Sequence, residues 1–290
     1  MIPMKNSRLT KLELIINSFD VFIFDVWGVI HNGKKVYSGI IDKFNLLKKH
    51  NKTIIIASNS PRPSNTIKKV LESKGLDSLL YDYLITSGEV FLHDINLNKC
   101  PYIDLRQKTK TFLVDENIDD VNDELVFQIH QKFHIVEQIE DADALIALTI
   151  TKNKKIFEEK YSSITDCALH KNIPFYCVNA DIVVYENEEP IIRPGYWAGI
   201  YNQLGGHVIY YGKPHHKIYD YIFDLISVHK DRILMIGDSL DTDILGAHKM
   251  EIQSALVLNK QEKIPFYAPF TNRVLTNAAQ PDFFFPNWES

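Results

Sequence analysis

The sequence has few cysteines, no long apolar run and no block of basic residues, and each absence argues against a class of protein. Its three cysteines, Cys100, Cys167 and Cys177, are odd in number and lack a Cys-x-x-Cys spacing. That argues against a disulfide framework and against a zinc site. No window approaches the ~18 apolar residues that a membrane span needs, and Lys5 and Arg8 precede any apolar run that would act as a signal core. We therefore expect a cytoplasmic protein with reduced thiols.

The overall composition is that of an ordinary globular chain. Of its 290 residues, 45% are apolar and 24% are charged, and the formal net charge is -5. This length allows one large domain or two smaller ones. Because no basic block is present, we expect neither a nucleic acid nor an anionic membrane as a partner.

Three apolar segments are each followed at once by polar side chains. They are 21–24 before Asp25, 54–57 before Ser58 and Asn59, and 233–236 before Gly237 and Asp238. Short apolar runs bounded by turn residues are typical of buried parallel strands, and open α/β sheets bind ligands at the carboxyl ends of their strands. A single such segment is explained by a carboxylate that ends a strand and caps the next turn. Three such segments instead favour one shared ligand site.

The pattern of elements predicts a core interrupted by an inserted domain. Residues 1–86 and 206–290 read as one α/β core, with a strand at 208–211 after Gly205-Gly206 and a last strand at 283–285. Residues 87–205 have their own alternation of apolar runs and charged helical stretches, which predicts a separate α/β domain.

The acidic residues at the predicted strand ends suit a hard metal ion. Asp25, Asp238 and Asp243 offer only oxygen ligands, and Mg²⁺ prefers carboxylates, water and substrate phosphate. For Asp241 and Asp243 the alternative is favourable charge at a helix N-terminus, which we prefer for Asp241.

Other groups suit an anion. Ser58 and Asn59 lie in a loop before a helix and offer hydroxyl, amide and backbone donors, while Lys213 follows another strand. Taken alone, Lys213 is better explained as a solvated turn lysine. A carboxylate, a divalent cation, a lysine and an anion-binding loop are together the components of phosphoryl transfer to an aspartate nucleophile.

Four motifs resemble those of the haloacid dehalogenase (HAD) superfamily, in its class IIA, NagD-like branch. In order they are Phe24-Asp25-Val26-Trp27-Gly28-Val29, Ala57-Ser58-Asn59-Ser60-Pro61-Arg62, Gly212-Lys213-Pro214, and Gly237-Asp238-Ser239 with Asp243-Ile244. Segments 85–88, 179–181 and 193–195 resemble the junctions with the cap of that branch. The resemblance implies a Rossmann-like core with a parallel sheet, an inserted α/β cap, Mg²⁺ and a small phosphorylated substrate, and it allows a homodimer through the cap.

The resemblance also implies a role for each matching residue. Asp25 would be the nucleophile and a metal ligand, with Asp238 and the backbone carbonyl of Trp27 as further ligands and Asp243 as the residue that orients metal-bound water. The residues that would hold the phosphoryl group are Ser58, Asn59 and Lys213, of which Ser58 and Lys213 would also serve catalysis.

One position departs from the pattern of the family's phosphatases. They carry a second Asp two residues after the nucleophile as general acid and base, and here that position is Trp27. An indole neither gives nor takes the proton, a role worth ~10²–10⁴ in rate. His31 is a candidate substitute acid, although we favour a surface loop histidine.

Three functions therefore stay open. The first is a Mg²⁺-dependent phosphatase that acts through an aspartyl intermediate. The second is a catalytically weak or inactive relative that binds a phosphorylated ligand or a partner protein, and the third is hydrolysis of a leaving group that needs no protonation.

Overall fold

A computed structural model describes residues 8–103, 108–116, 124–186, 189–258, 280–286 and 288. The chain divides into two compact units. The first, here the core unit, comprises Met1–Ser58, Lys68–Ile85 and Pro214–Ser290, and the second, here the cap unit, comprises Asn59–Ile67 and Thr86–Lys213. The domain boundaries predicted from the sequence, with the insertion at 87–205, stay a prediction. Among the described helices, none has the length and apolar character to cross a membrane.

The core unit is built on a seven-stranded sheet. Its strands in spatial order are β1 (Arg8–Leu9), β14 (Phe283–Phe285), β13 (Gln253–Val257), β12 (Ile233–Gly237), β2 (Val21–Phe24), β3 (Thr53–Ser58) and β4 (Tyr83–Thr86). The pairs from β1 through β3 are parallel. Every residue of β2 and β12 is buried, as expected of parallel strands covered on both faces.

Helices alternate with these strands. They are α1 (Leu12–Ile15), α2 (Ile40–Lys49), α3 (Ser64–Ser73), α8 (His216–Leu225) and α9 (Leu245–Met250). Helix α3 begins just after Pro63, and Gly75, with a φ of +100°, follows its end. A proline before the start and a glycine after the end of a helix are the expected punctuation.

The register of the central strands aligns the ends of β2, β3 and β12. Phe24 pairs with Ile236 on one side and with Ile56 on the other. The ladder continues by one bond, because the amide of Asp25 donates to the carbonyl of Ile236 at 2.9 Å. Asp25 therefore leaves β2 at the same edge of the sheet as the residues that follow β12.

The cap unit has its own five-stranded sheet. The order is β11 (Val208–Tyr210), β8 (Phe175–Cys177), β7 (Ala144–Ala147), β5 (Lys110–Val114) and β6 (His134–Ile135), and every neighbouring pair is parallel. Its helices are α4 (Ser87–Asn96), α5 (Glu124–Lys132), α6 (Lys154–His170) and α7 (Pro194–Gln203), and a hairpin joins β9 (Val183–Glu186) to β10 (Glu189–Ile192). The predicted α/β class with a parallel core sheet is confirmed, and the structure adds a second parallel sheet in the cap unit.

One strand lies in a different sheet from the one expected. The sequence predicted that strand 208–211 belongs to the core, but β11 pairs with β8 of the cap sheet. The glycines before it end a helix. Gly205 has a φ of +91° and the amide of Gly206 donates to the carbonyl of Tyr201, a glycine termination of α7.

Candidate active site

Three carboxylates meet at the carboxyl edge of the core sheet. Asp25, Asp238 and Asp243 each present one oxygen, and these three oxygens lie within 4.8 Å of one another. Asp243 is buried, and the other two are partly buried. A donor set made only of carboxylate oxygens fits a hard divalent cation and offers nothing to a soft one. The three residues that the sequence predicted to converge therefore lie together in the core unit.

Two glycines make room for this cluster. A Cβ built on Gly28 would lie 1.7 Å from Oδ2 of Asp238, and one built on Gly237 would lie 2.2 Å from Oδ2 of Asp243. Gly28 also has a φ of +79°, which side-chain-bearing residues rarely adopt. The backbone at Gly28 thus lies directly against the cluster, one residue after the position where the resemblance implies a backbone ligand.

The turn that carries Asp243 separates it from Asp241. Residues Leu240–Ile244 form a π-helical turn after β12, and the backbone amide of Ser239 donates to Oδ2 of Asp243 at 3.2 Å. Ser239 also accepts from the amide of Thr242 through its hydroxyl, so it caps the turn. Burial raises the pKa of Asp241, which does not belong to the three-carboxylate group.

Asn59 and Lys213 meet in the cap unit through an amide clamp. Oδ1 of Asn59 accepts from the backbone amide of Lys213 at 2.7 Å, and Nδ2 donates to the Lys213 carbonyl at 2.9 Å. The same Nδ2 donates to Oδ1 of Asp181 at 2.7 Å. Both amide hydrogens are used, so the side chain of Asn59 holds the backbone of Lys213 in place.

The neighbouring glycine permits this clamp. A Cβ on Gly212 would lie 2.6 Å from Oδ1 of Asn59 and 2.8 Å from Oγ of Ser87. Lys213 itself is buried, which excludes the solvated turn lysine that the sequence left open. Ser58, by contrast, is the last residue of β3 in the core unit, at the same sheet edge as Asp25.

The indole of Trp27 is half-exposed and rests on a buried histidine. Its ring makes an edge-on contact with the ring of His31, at a centroid distance of 5.4 Å and an angle of 78°. His31 is only 4% exposed, so the expected surface loop histidine is wrong. Its Nδ1 accepts from the amide of Gly33 at 2.9 Å. Burial, together with the charge of Lys74, lowers the pKa of His31 to about 4, and the imidazole is therefore neutral at pH 7.

A partly buried ion pair that sequence reasoning missed also lies in the cap unit. Arg62 makes two bonds to Asp115, at 3.0 and 3.1 Å, and the hydroxyl of Thr149 donates to the same carboxylate at 2.5 Å. The hydroxyl of Thr86 donates to the backbone carbonyl of Arg62. Asp115 and Thr149 each follow a strand of the cap sheet, so the rule that pointed to Asp25 would have pointed to them as well.

Two family models and several known proteins are similar to this chain. A family model described as haloacid dehalogenase-like hydrolase matches residues 22–122, and a HAD-hydrolase-like model matches residues 210–287. Phosphoglycolate phosphatase 1A, chloroplastic, of Arabidopsis thaliana is 24% identical over 97% of this chain and 78% of its own length. The 4-nitrophenylphosphatase of Schizosaccharomyces pombe is 23% identical over 90% and 91%. A crystal structure of a haloacid dehalogenase-like hydrolase from Brucella suis is 27% identical, with a TM-score of 0.71 over 88% of this chain and 92% of that one.

Proposed function

Because the chain belongs to the haloacid dehalogenase-like hydrolases and has the fold of their class IIA, NagD-like branch, we propose that it is a Mg²⁺-dependent phosphatase acting on a small phosphorylated molecule. The observation that carries the proposal is the cluster of Asp25, Asp238 and Asp243 at the carboxyl edge of the core sheet. The phosphatases among its relatives support the same reaction class. The individual substrate stays open.

The proposed reaction has two steps on Asp25. Its carboxylate attacks phosphorus, and the bond from phosphorus to the ester oxygen breaks, which leaves a phosphoryl group on Asp25. Water then attacks that phosphorus and releases inorganic phosphate, restoring the carboxylate. Mg²⁺ when bound would neutralise charge on the phosphoryl oxygens, and the residues that would hold it are Asp25, Asp238, Asp243 and the backbone carbonyl of Trp27.

Lys213 and Ser58 are the proposed phosphoryl-binding groups. The lysine supplies positive charge, and the serine supplies a hydroxyl donor at the end of β3. Asn59, whose amide hydrogens are taken by Lys213 and Asp181, acts in this proposal by fixing the backbone of Lys213. That role differs from the direct phosphoryl contact expected from its motif.

Neither Trp27 nor His31, the two residues considered for this role, offers the leaving group a proton. Trp27 cannot protonate it, and His31 is neutral at pH 7 because its pKa is about 4. We therefore expect faster hydrolysis of esters whose alcohol part leaves without protonation, such as aryl phosphates. Because Trp27 stands where the family's phosphatases have their general acid, it also favours a second candidate function, that of a catalytically weak relative that binds a phosphorylated ligand.

Turnover of p-nitrophenyl phosphate with and without Mg²⁺ separates these candidates. Wild-type protein is expected to require the metal, and Asp25→Asn to lose turnover while keeping its circular dichroism spectrum and melting temperature. Asp241→Asn is the matched control, since Asp241 lies on the turn next to the cluster but outside it. Equal turnover by wild type and Asp25→Asn would contradict the aspartyl mechanism, and a wild type that binds phosphate without turnover would favour the binding protein.

A further inference from the structure

Trp27 differs from the other tryptophans of the chain in its exposure. The sequence has three. Trp27 is 44% exposed, whereas Trp197 is fully buried and Trp288 is 5% exposed. Both buried indoles donate their N–H group, to Thr165 and to the carbonyl of Val29. Trp27 therefore presents a large aromatic face to solvent, two residues after Asp25 of the carboxylate cluster.

The backbone places this indole at the cluster. Trp27 follows Asp25 by two residues, and the next residue, Gly28, lies so close to the carboxylate of Asp238 that a Cβ on it would clash. A phosphate ester bound at these carboxylates carries its alcohol portion away from them. The exposed indole of Trp27, one residue before Gly28, is the apolar surface that we expect this portion to meet.

The indole is also held in position. The backbone amide of Gly28 donates to the carbonyl of His31 at 3.0 Å, and Trp27 and His31 form a β-bridge. The buried ring of His31 supports the indole edge-on, and a Cβ on Gly33 would lie 2.7 Å from Cη2 of the indole. A ring fixed from two sides loses little conformational entropy when a ligand stacks on it.

We propose that Trp27 is a specificity residue that stacks on an aromatic or heteroaromatic ring in the leaving group of the substrate. This inference rests on the proposed phosphatase function and adds no chemical step to it. The substrate class is a phosphate monoester with a ring attached at or one carbon from the ester oxygen. Aromatic pairs contribute enough to change affinity by about two- to tenfold.

The kinetic test must separate stacking from the acidity of the leaving group. Benzyl phosphate and cyclohexylmethyl phosphate both release an alkoxide, and they differ chiefly in the aromaticity of the ring. Wild type should favour the benzyl ester by about two- to tenfold in kcat/KM. Trp27→Leu should bring this ratio close to one, Trp27→Phe should keep part of it, and Tyr83→Leu should leave it unchanged. Tyr83 is the matched control, an exposed aromatic residue at the start of β4.

A binding test needs no turnover. Benzylphosphonate and cyclohexylmethylphosphonate have a P–C bond in place of the ester, and their dissociation constants are measured by calorimetry in Mg²⁺. Wild type should bind the benzyl compound more tightly by the same factor, and Trp27→Leu should bind both equally. Benzylphosphonate should also shield tryptophan fluorescence from acrylamide in wild type, because only Trp27 is well exposed.

The outcomes distinguish this inference from the proposed function. Equal affinity of wild type for the two phosphonates overturns stacking even if the protein is an active phosphatase, and so does a preference that survives in Trp27→Leu. Failure of both phosphonates to bind overturns it as well. Tighter binding of benzylphosphonate that Trp27→Leu removes supports stacking, even if no phosphate ester is hydrolysed and the phosphatase proposal fails.

Discussion

Replacing Asn59 by Asp, a side chain of almost the same shape, should lower the free energy of unfolding more than truncating the side chain to Ala. Asn59→Ala deletes three hydrogen bonds of 2.7, 2.9 and 2.7 Å to Lys213 and Asp181. At about 1 kcal/mol for each lost bond, we expect a loss of about 3 kcal/mol in the free energy of unfolding. For a protein of this size that is about 6–12 °C in melting temperature.

Asn59→Asp keeps the oxygen that accepts from the amide of Lys213 but replaces the NH₂ group, which donates two hydrogen bonds, by a second oxygen. That oxygen then faces the Lys213 carbonyl and the carboxylate of Asp181 at distances set for hydrogen bonds. Two carboxylates this close repel one another, so we expect a further loss of about 1–3 kcal/mol beyond Asn59→Ala. Acidification should reduce this extra loss, since a proton between the carboxyl groups restores a donor.

Thermal unfolding followed by circular dichroism checks the order of the two variants. A double-mutant cycle with Asp181→Asn supplies the internal control, because the second change returns a donor to the contact. We expect the double variant Asn59→Asp, Asp181→Asn to be more stable than Asn59→Asp alone. If Asn59→Asp is as stable as Asn59→Ala, or if Asp181→Asn gives no rescue, the amide clamp does not hold Lys213 as described.

Two further predictions concern the core unit. Gly28→Ala should weaken Mg²⁺ binding at least tenfold in calorimetry, because its Cβ would occupy the place of Asp238 Oδ2. Gly75→Ala is the control: Gly75 has a similar positive φ but open space around it, so this variant should lose stability and keep its Mg²⁺ affinity. Equal Mg²⁺ affinities in the two variants would contradict this. The Arg232 guanidinium holds the pKa of Asp20 at about 2, below its ordinary 3.8. A lowered pKa stabilises the fold above pH 4, and this stabilisation is lost as the pH falls towards 2. The difference in unfolding free energy between wild type and Asp20→Asn should therefore shrink over that window, and a constant difference would count against the ion pair.

The carboxylate cluster could be predicted from sequence because its geometry follows from one rule. Parallel strands end at a common edge, and Asp25 and Asp238 each come just after an apolar strand. Asn59 shows where that reasoning stops. Its position in a polar loop was visible, but its partners Lys213 and Asp181 lie far along the chain, and only tertiary packing brings them to its amide.

The sequence predictions for His31 and for strand β11 were wrong for related reasons. A histidine in a glycine-rich loop gives no sign of burial, because what buries it is its own loop folding back: Gly33 donates to its ring and Trp27 packs on it. An apolar run such as 208–210 fits either parallel sheet equally well, and the pairing with β8 decides between them. Local pattern thus predicts that a strand forms more reliably than which neighbour it pairs with.

The order of strands in the core sheet has a consequence for the chain during its synthesis. β2 pairs on one side with β3, which follows soon after it, and on the other with β12, which follows only after the whole cap unit. A ribosome must therefore release the chain through Gly237 before the β12 side of β2 can be covered. Until then, four apolar residues that are buried in the native protein form an open strand edge, the kind of surface that recruits chaperones or nucleates aggregation. We therefore expect chains that end before β12 to aggregate more readily than the full chain, however well the cap sheet has formed.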